Sequence, residues 1–170
     1  RKRKKSEENM SQKVFISHKD SDSRVAENVA RRVRLNGLDV YLDTIDNALV
    51  EDGPELADML LERMGDCHQL IAVVSQQTKN SWWVPWEIGV GSEKGFRMAS
   101  YSESYVSLPS YLEKWPALKN ESHIDKYCQI SKEVEREEVR RRQYSFGNEG
   151  LYESIRKSKS MDFHRRLKSA

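Results

Sequence analysis

Ser81-Trp82-Trp83-Val84-Pro85-Trp86-Glu87-Ile88-Gly89 holds three of the chain's four tryptophans within five residues, and a carboxylate follows at once. Tryptophan stacks on flat ligand groups as readily as it packs into a core. Pro85 suits the first turn of a helix, where its missing N–H does little harm. Glu87 then falls in the same turn, near the positive end of the helix dipole. Two readings fit these nine residues. Glu87 is a helix-start acid beside core tryptophans, or it is a carboxylate held in a cleft with aromatic walls. Where the rest of the chain puts Glu87 decides between them.

The elements that must position it are legible from residue 13 onward. Lys13-Val14-Phe15-Ile16-Ser17 is a short apolar run with β-branched and aromatic members, as in a buried strand. His18 to Ser23 is a polar loop ending in good helix caps. Val25, Val29 and Val33, with Ala26 and Ala30, mark one helical face, with Arg31, Arg32 and Arg34 largely outside it. Asn36-Gly37 ends that helix. Leu38 to Asp43 alternates as a second strand, and a loop follows to Gly53-Pro54. Pro54 opens a helix whose buried face is Leu56, Met59, Leu60 and Met64. Gln69-Leu70-Ile71-Ala72-Val73-Val74-Ser75 is continuously apolar without alternation, which predicts a central parallel strand covered on both faces. The polar loop Gln76–Asn80 then leads into the tryptophan stretch.

Strand, helix, strand, helix, strand, helix within some 80 residues predicts an α/β, doubly wound parallel sheet. Such sheets bind ligands in a crevice beyond the carboxyl ends of their strands. The loops 17–23, 43–53 and 75–82 all leave those ends, and Glu87 lies just past the third. This shared location favours the cleft reading.

Further on, Arg97–Tyr101 reads as a fourth strand, and 102–122 as loops in which Trp115-Pro116 packs on the core. Ile124 to Gln143 is helical in pattern, with Ile124, Tyr127, Cys128 and Val134 on one side. Its second half, Glu133 to Arg142, is almost solidly charged, as for a solvated helix. Residues 151–167 form a terminal helix with Leu151, Ile155, Phe163 and Leu167. The organisation is a disordered basic lead-in over 1–12, a main domain over 13–123, and a helical, charged C-terminal extension over 124–170 that packs on it.

Composition and motifs exclude more than they assign. A net charge of +2 is too small to argue for nucleic acid, and the charged C-terminal segment interleaves Glu133, Glu135, Glu137 and Glu138 with its arginines, without a stacking platform. No run approaches a membrane span of about 18 apolar residues. No secretory signal is visible, and Cys67 and Cys128 suggest no disulfide framework, so the expectation is a cytoplasmic protein. There is no Walker loop. Gly89-Val90-Gly91-Ser92-Glu93-Lys94-Gly95 is one place off a dinucleotide fingerprint and follows a helix start, so Gly89 and Gly91 instead let a helix approach the sheet. The four histidines show no metal-ligand spacing, so no metal is expected. No nucleophile elbow is present.

A lone glutamate among aromatics remains. One carboxylate suits cleavage of a glycosidic bond through a cation-like transition state, because an anion set against developing positive charge stabilises that state above the ground state. Where the leaving group is already cationic, as nicotinamide is in NAD, no general acid is needed to expel it. Ordinary glycosidases need two carboxylates.

At these residues the chain resembles a Toll/interleukin-receptor (TIR) domain of the bacterial type, over about residues 13–100. Val14-Phe15-Ile16-Ser17-His18 resembles the opening strand. Leu42-Asp43 followed by Gly53 resembles the second strand and the glycine of the BB loop. Val73-Val74-Ser75 is similar to the third strand and its serine, and Ser81-x-Trp83-x-x-x-Glu87 to the family's serine, tryptophan and catalytic glutamate. Here Val84-Pro85-Trp86 stand where a cysteine often follows the tryptophan, and Asp52-Gly53-Pro54 replaces the common Pro-Gly order. The resemblance implies a flavodoxin-like fold and NAD as substrate rather than cofactor, cleaved to nicotinamide and ADP-ribose or a cyclised ADP-ribose. It implies Glu87 as catalytic residue, Trp83 shaping its pocket, and Ser17, His18 and the loop from Asp43 to Gly53 lining the NAD site. It also implies self-association through TIR–TIR contacts, a role in antiphage defence, and a downstream effector that senses a cyclic product. Two other readings stay open: a non-enzymatic adaptor binding other TIR domains through the 43–53 loop, and an enzyme like the nucleoside deoxyribosyltransferases.

Overall fold

The computed structural model describes residues 13–44, 61–80, 83–103, 105–142 and 149–170. The lead-in over 1–12, the loop from Ile45 through Gly53, the helix start at Pro54, the pair Ser81-Trp82 and the break at 145–148 lie outside the described residues.

Five parallel strands form one sheet in the order β2-β1-β3-β4-β5. They are β1 (Val14–His18), β2 (Val40–Thr44), β3 (Gln69–Val73), β4 (Arg97–Tyr101) and β5 (Ala117–Leu118). The helices are α1 (Ser23–Leu35), α2 (described over 61–65), α3 (Trp83–Glu93), α4 (Glu121–Arg142) and α5 (Glu149–Lys168). The expected α/β, doubly wound, flavodoxin-like sheet with a helical C-terminal region is therefore present. Every residue of β1 and β3 is buried, as continuous apolarity requires of strands covered on both faces.

The pleat divides the core in two. Val14, Ile16, Ile71, Val73 and Ala99 pack with α1, α4 and α5; Phe15, Leu70, Ala72 and Met98 pack with Met64, Ile88 and Phe96 on the α2 and α3 side. On α1, the expected face of Ala26, Val29, Ala30 and Val33 is buried, and Gly37 ends the helix at φ +74°. Arg32 departs from the expectation of an outward residue. It holds Asp125 of α4 through two bonds of 2.7 and 2.5 Å, and Asn36 adds a third of 2.8 Å. The Asp125 carboxyl is pulled down to about 2 by these hydrogen bonds.

The C-terminal region holds two corrections. The stretch 102–122 is not all loop: it contains a 3₁₀ turn at Ser110–Lys114 and the two-residue β5, too short to show a period. The second half of α4 is not simply solvated. Glu135 and Glu138 are buried, because α5 lies over them. Arg97, fully buried in β4, reaches Glu135 at 3.2 Å, and Lys159 of α5 pairs with Glu135 at 2.5 Å and with Glu138. Two cations thus answer two anions, which buried charges require. Beneath them Tyr127 and Ser131 both donate to Gln69 Oε1, at 3.0 and 2.6 Å.

α5 also completes the sheet. β5 pairs only with Ser100 and Tyr101, so among the described residues no strand lies beside the upstream edge of β4. α5 takes its place: the Met98 N–H donates to His164 Nε2 at 2.8 Å, and Ser160 Oγ donates to the adjoining Phe96 carbonyl at 2.7 Å. Phe163 sits fully buried, edge-on to Tyr127. Burial, with Lys168 and Lys114 nearby, lowers the His164 pKa from 6.5 to about 4.

The unfolded chain therefore binds a proton that the folded chain refuses. The His164 contribution is complete above about pH 6.5 and is lost as pH falls toward 4, on the order of 2–3 kcal/mol in all. His164→Gln keeps an acceptor for Met98 but cannot titrate. Urea unfolding at pH 7 and pH 4.5 should show a smaller stability loss in H164Q than in the wild type; equal losses would contradict this role.

Candidate active site

α3 runs from Trp83, so Pro85 falls in its first turn as the sequence predicts, while Glu87 falls in the next turn rather than the first. Its buried side carries Glu87, Ile88 and Gly91, while Pro85 and Gly89 are exposed. Glu87 is 0% exposed. Glutamate almost never reaches full burial without a partner. One partner is Ser17, whose hydroxyl donates to Glu87 Oε2 across 70 residues of sequence. Ser17 is the fourth residue of β1, itself fully buried, and the pleat places it on the same face as Phe15, toward α3.

The structure thus brings together two of the six expected site residues by their side chains. Asp43 joins them by backbone: it is the register partner of Ser17 on one side, as Ala72 is on the other. Trp83 stands one helical turn before Glu87. His18 is buried at 1% exposure and is turned by the pleat to the α1 face, away from Ser17. Gly53 lies outside the described residues.

Sequence reasoning missed a second polar group at the same end of the sheet. Thr78, in the turn after β3, donates its hydroxyl to Asp22 Oδ2 at 2.6 Å, and both residues are buried. The only signals were generic ones: cap-forming residues at 18–23 and a polar loop at 76–80.

Other chemistry has little support among the described residues. Burial pushes the Cys67 thiol up to about 11 and that of Cys128 to about 12, so both stay protonated near neutrality. Among the described residues no three His, Cys, Asp or Glu side chains group as metal ligands would. No helix among them is long and apolar enough to cross a membrane. A groove of about 490 Å³ runs beside β5, lined by Trp115, Leu118, His123, Lys126 and Leu167. It lies at the sheet edge remote from β1 and includes neither Ser17 nor Glu87.

A TIR domain family model matches residues 14–141. The chain belongs to the TIR domain family. The match ends before α5, the helix that completes the β4 edge. Over 79 residues the chain is 32% identical to a Bacillus cereus (strain MSX-D12) protein named "Probable 3' cyclic ADP-D-ribose synthase ThsB'". The aligned stretch is 45% of this chain and spans 41% of that relative's length.

The glycines of α3 separate by their surroundings. A Cβ on Gly91 would meet Met98 Sδ at 2.9 Å and Phe96 at 3.5 Å, so the helix does approach the sheet closely here, and a side chain would displace Met98. Gly89 has nothing within 4 Å, and the expectation of a close approach there is corrected. Gly89→Ala should stabilise the domain by about 0.5–1 kcal/mol through helix propensity. Gly91→Ala should gain less, or lose, because Met98 must move. Chemical denaturation of the two variants checks the order; G91A exceeding G89A in stability would contradict it.

Proposed function

We propose that this TIR domain cleaves NAD at the glycosidic bond between nicotinamide and ribose, with Glu87 as the catalytic residue. The observation that carries the proposal is the fully buried Glu87 carboxylate, held by the Ser17 hydroxyl at the carboxyl end of β1. Ligands bind at that end of an open parallel sheet. A carboxylate shielded from bulk water acts more strongly on a nearby charge than an exposed one. The relative named as a cyclic ADP-D-ribose synthase supports the same chemistry.

In the proposed step the C1′–N bond breaks and its electron pair leaves with nicotinamide, which departs neutral. The positive charge passes to the ribose C1′ and its ring oxygen, where the Glu87 carboxylate stabilises it. The cation is then captured by an oxygen nucleophile that loses one proton to solvent. Capture by water gives ADP-ribose; capture by a hydroxyl of the same molecule gives a cyclic ADP-ribose. Ser17 orients Glu87. Trp83 shapes the pocket, and the Asp43–Gly53 loop contributes to the NAD site. In the cell we place the protein in the cytoplasm, self-associated through TIR–TIR contacts. Its cyclic product would signal to a downstream effector in antiphage defence.

Glu87→Gln keeps the size of the side chain and an acceptor for Ser17 but removes the charge. Nicotinamide release from NAD should fall by about 10²–10³-fold in E87Q, with thermal stability retained. Chromatography of the wild-type products then separates linear from cyclised ADP-ribose. Undiminished release by E87Q would remove Glu87 from the chemistry. A wild-type protein inert toward NAD at every concentration would overturn the enzyme reading in favour of an adaptor.

A further inference from the structure

The strand order reverses direction at β1 and β3: the chain leaves β1 for α1 on one face and leaves β3 for α3 on the other. The two exit turns therefore diverge, and the crevice opens between them. Asp22 and Thr78 lie one in each turn. Their 2.6 Å bond crosses this divide at a sequence separation of 56.

The bond is made where a local alternative was available. Asp22 is the residue at the N-terminal boundary of α1, the position where an aspartate commonly accepts a backbone N–H of its own helix. It makes no such side-chain bond. Its carboxylate, 3% exposed, is given to Thr78 instead. Thr78 is equally fixed. Its Oγ1 accepts the Ser75 N–H at 3.0 Å and contacts Ser75 Oγ at 3.2 Å. Backbone bonds from Thr78 and Lys79 to the Ser75 carbonyl close the turn. Ser75 Oγ in turn accepts the Gln77 N–H at 3.2 Å. The hydroxyl that reaches Asp22 thus belongs to a rigid turn, and α3 starts five residues after it.

Resting on the NAD-cleaving reading above, we infer that Asp22 and Thr78 are positioning residues that set Glu87 against Ser17. Ser17 is five residues before Asp22, and Glu87 is nine residues after Thr78. The bond therefore closes a short circuit: β1 to Asp22, Asp22 to Thr78, the chain onward to α3, and Glu87 back to Ser17. Neither residue touches the reacting atoms. The tie fixes the start of α3 over the end of β1, so that the carboxylate stays where the ribose cation forms. A displacement of about 1 Å at a reacting centre costs up to about a hundredfold in rate.

Thr78→Val removes the hydroxyl at nearly constant volume, Thr78→Ser restores it, and Asp22→Ala removes the acceptor. Nicotinamide release is measured for these three and for D22A/T78V, well below each melting temperature and corrected for folded fraction. Val134→Ala, a core change in α4 far from the turns, serves as a control for lost stability alone. The expected result is a kcat reduced about tenfold in T78V and in D22A, KM changed less than threefold, and T78S close to wild type. The double variant should lose no more than the worse single one, because one bond is being removed twice. Any of three results would overturn the inference: wild-type kcat in T78V, an equal fall in V134A, or multiplied losses in the double variant. If D22A fails to fold, T78V against T78S and V134A carries the test. Absence of activity in the wild type would instead overturn the NAD-cleaving reading, and this inference with it.

Discussion

A carboxylate taken wholly out of water must be answered by a hydrogen bond, and in this domain a serine hydroxyl gives the answer. The Ser17–Glu87 pair sets conditions on everything around it. Ser17 must lie near the carboxyl end of a strand covered on both faces, so β1 must run between β2 and β3. Glu87 must lie on the inner side of α3, so that helix must come close to the sheet, which Gly91 permits and a side chain at that position would resist. The exit turns of β1 and β3 must hold a fixed spacing, and Asp22 and Thr78 bridge them. Burying a carboxyl group costs free energy before its partner is counted. An apolar residue would pack at that position without the cost, so a glutamate there is consistent with a chemical task.

The opposite face shows the same physics used for support. Arg97, Glu135, Glu138 and Lys159 form a balanced buried cluster where α4 and α5 meet β4. α5 lies beyond the family match, yet it supplies the acceptor for Met98 and the donor for Phe96. A sheet with so short a fifth strand leaves backbone groups exposed at its edge, and a helix with polar side chains aimed inward satisfies them. The charged C-terminal region thus belongs to the structure that holds β4 beside β3, and β3 beside β1.

The first half of the fold was legible because its signals are local. Continuous apolarity in Val14–Ser17 and Gln69–Val74, the four-residue period of Val25, Val29 and Val33, and Gly37 at a left-handed turn each express one physical rule. Their order gave the parallel sheet, and the sheet gave Glu87 its address. What stayed hidden depends on tertiary partners. A glutamate in the run Glu133–Arg142 reads the same whether it faces water or Lys159; only the placement of α5 distinguishes them. Two residues, Ala117 and Leu118, cannot display a strand's alternation. Asp22 looked like an ordinary helix cap, because a cap and a long-range tether use the same side chain. For the candidate site, Ser17 and Glu87 were named by motif and are joined by a hydrogen bond, whereas the pleat that turns His18 to the other face becomes visible only with the sheet assembled.

The account depends on a positive charge forming at the ribose beneath the Glu87 carboxylate. An α-secondary isotope effect on nicotinamide release tests this most directly, using NAD carrying deuterium at the C1′ of the nicotinamide ribose and the wild-type protein under single-turnover conditions. A carbon flattening toward a cation loosens its C–H bending, so the account predicts release from the deuterated substrate to be clearly slower. Equal rates for the two substrates, with bond cleavage limiting, would contradict a cation-like transition state and the role assigned to Glu87.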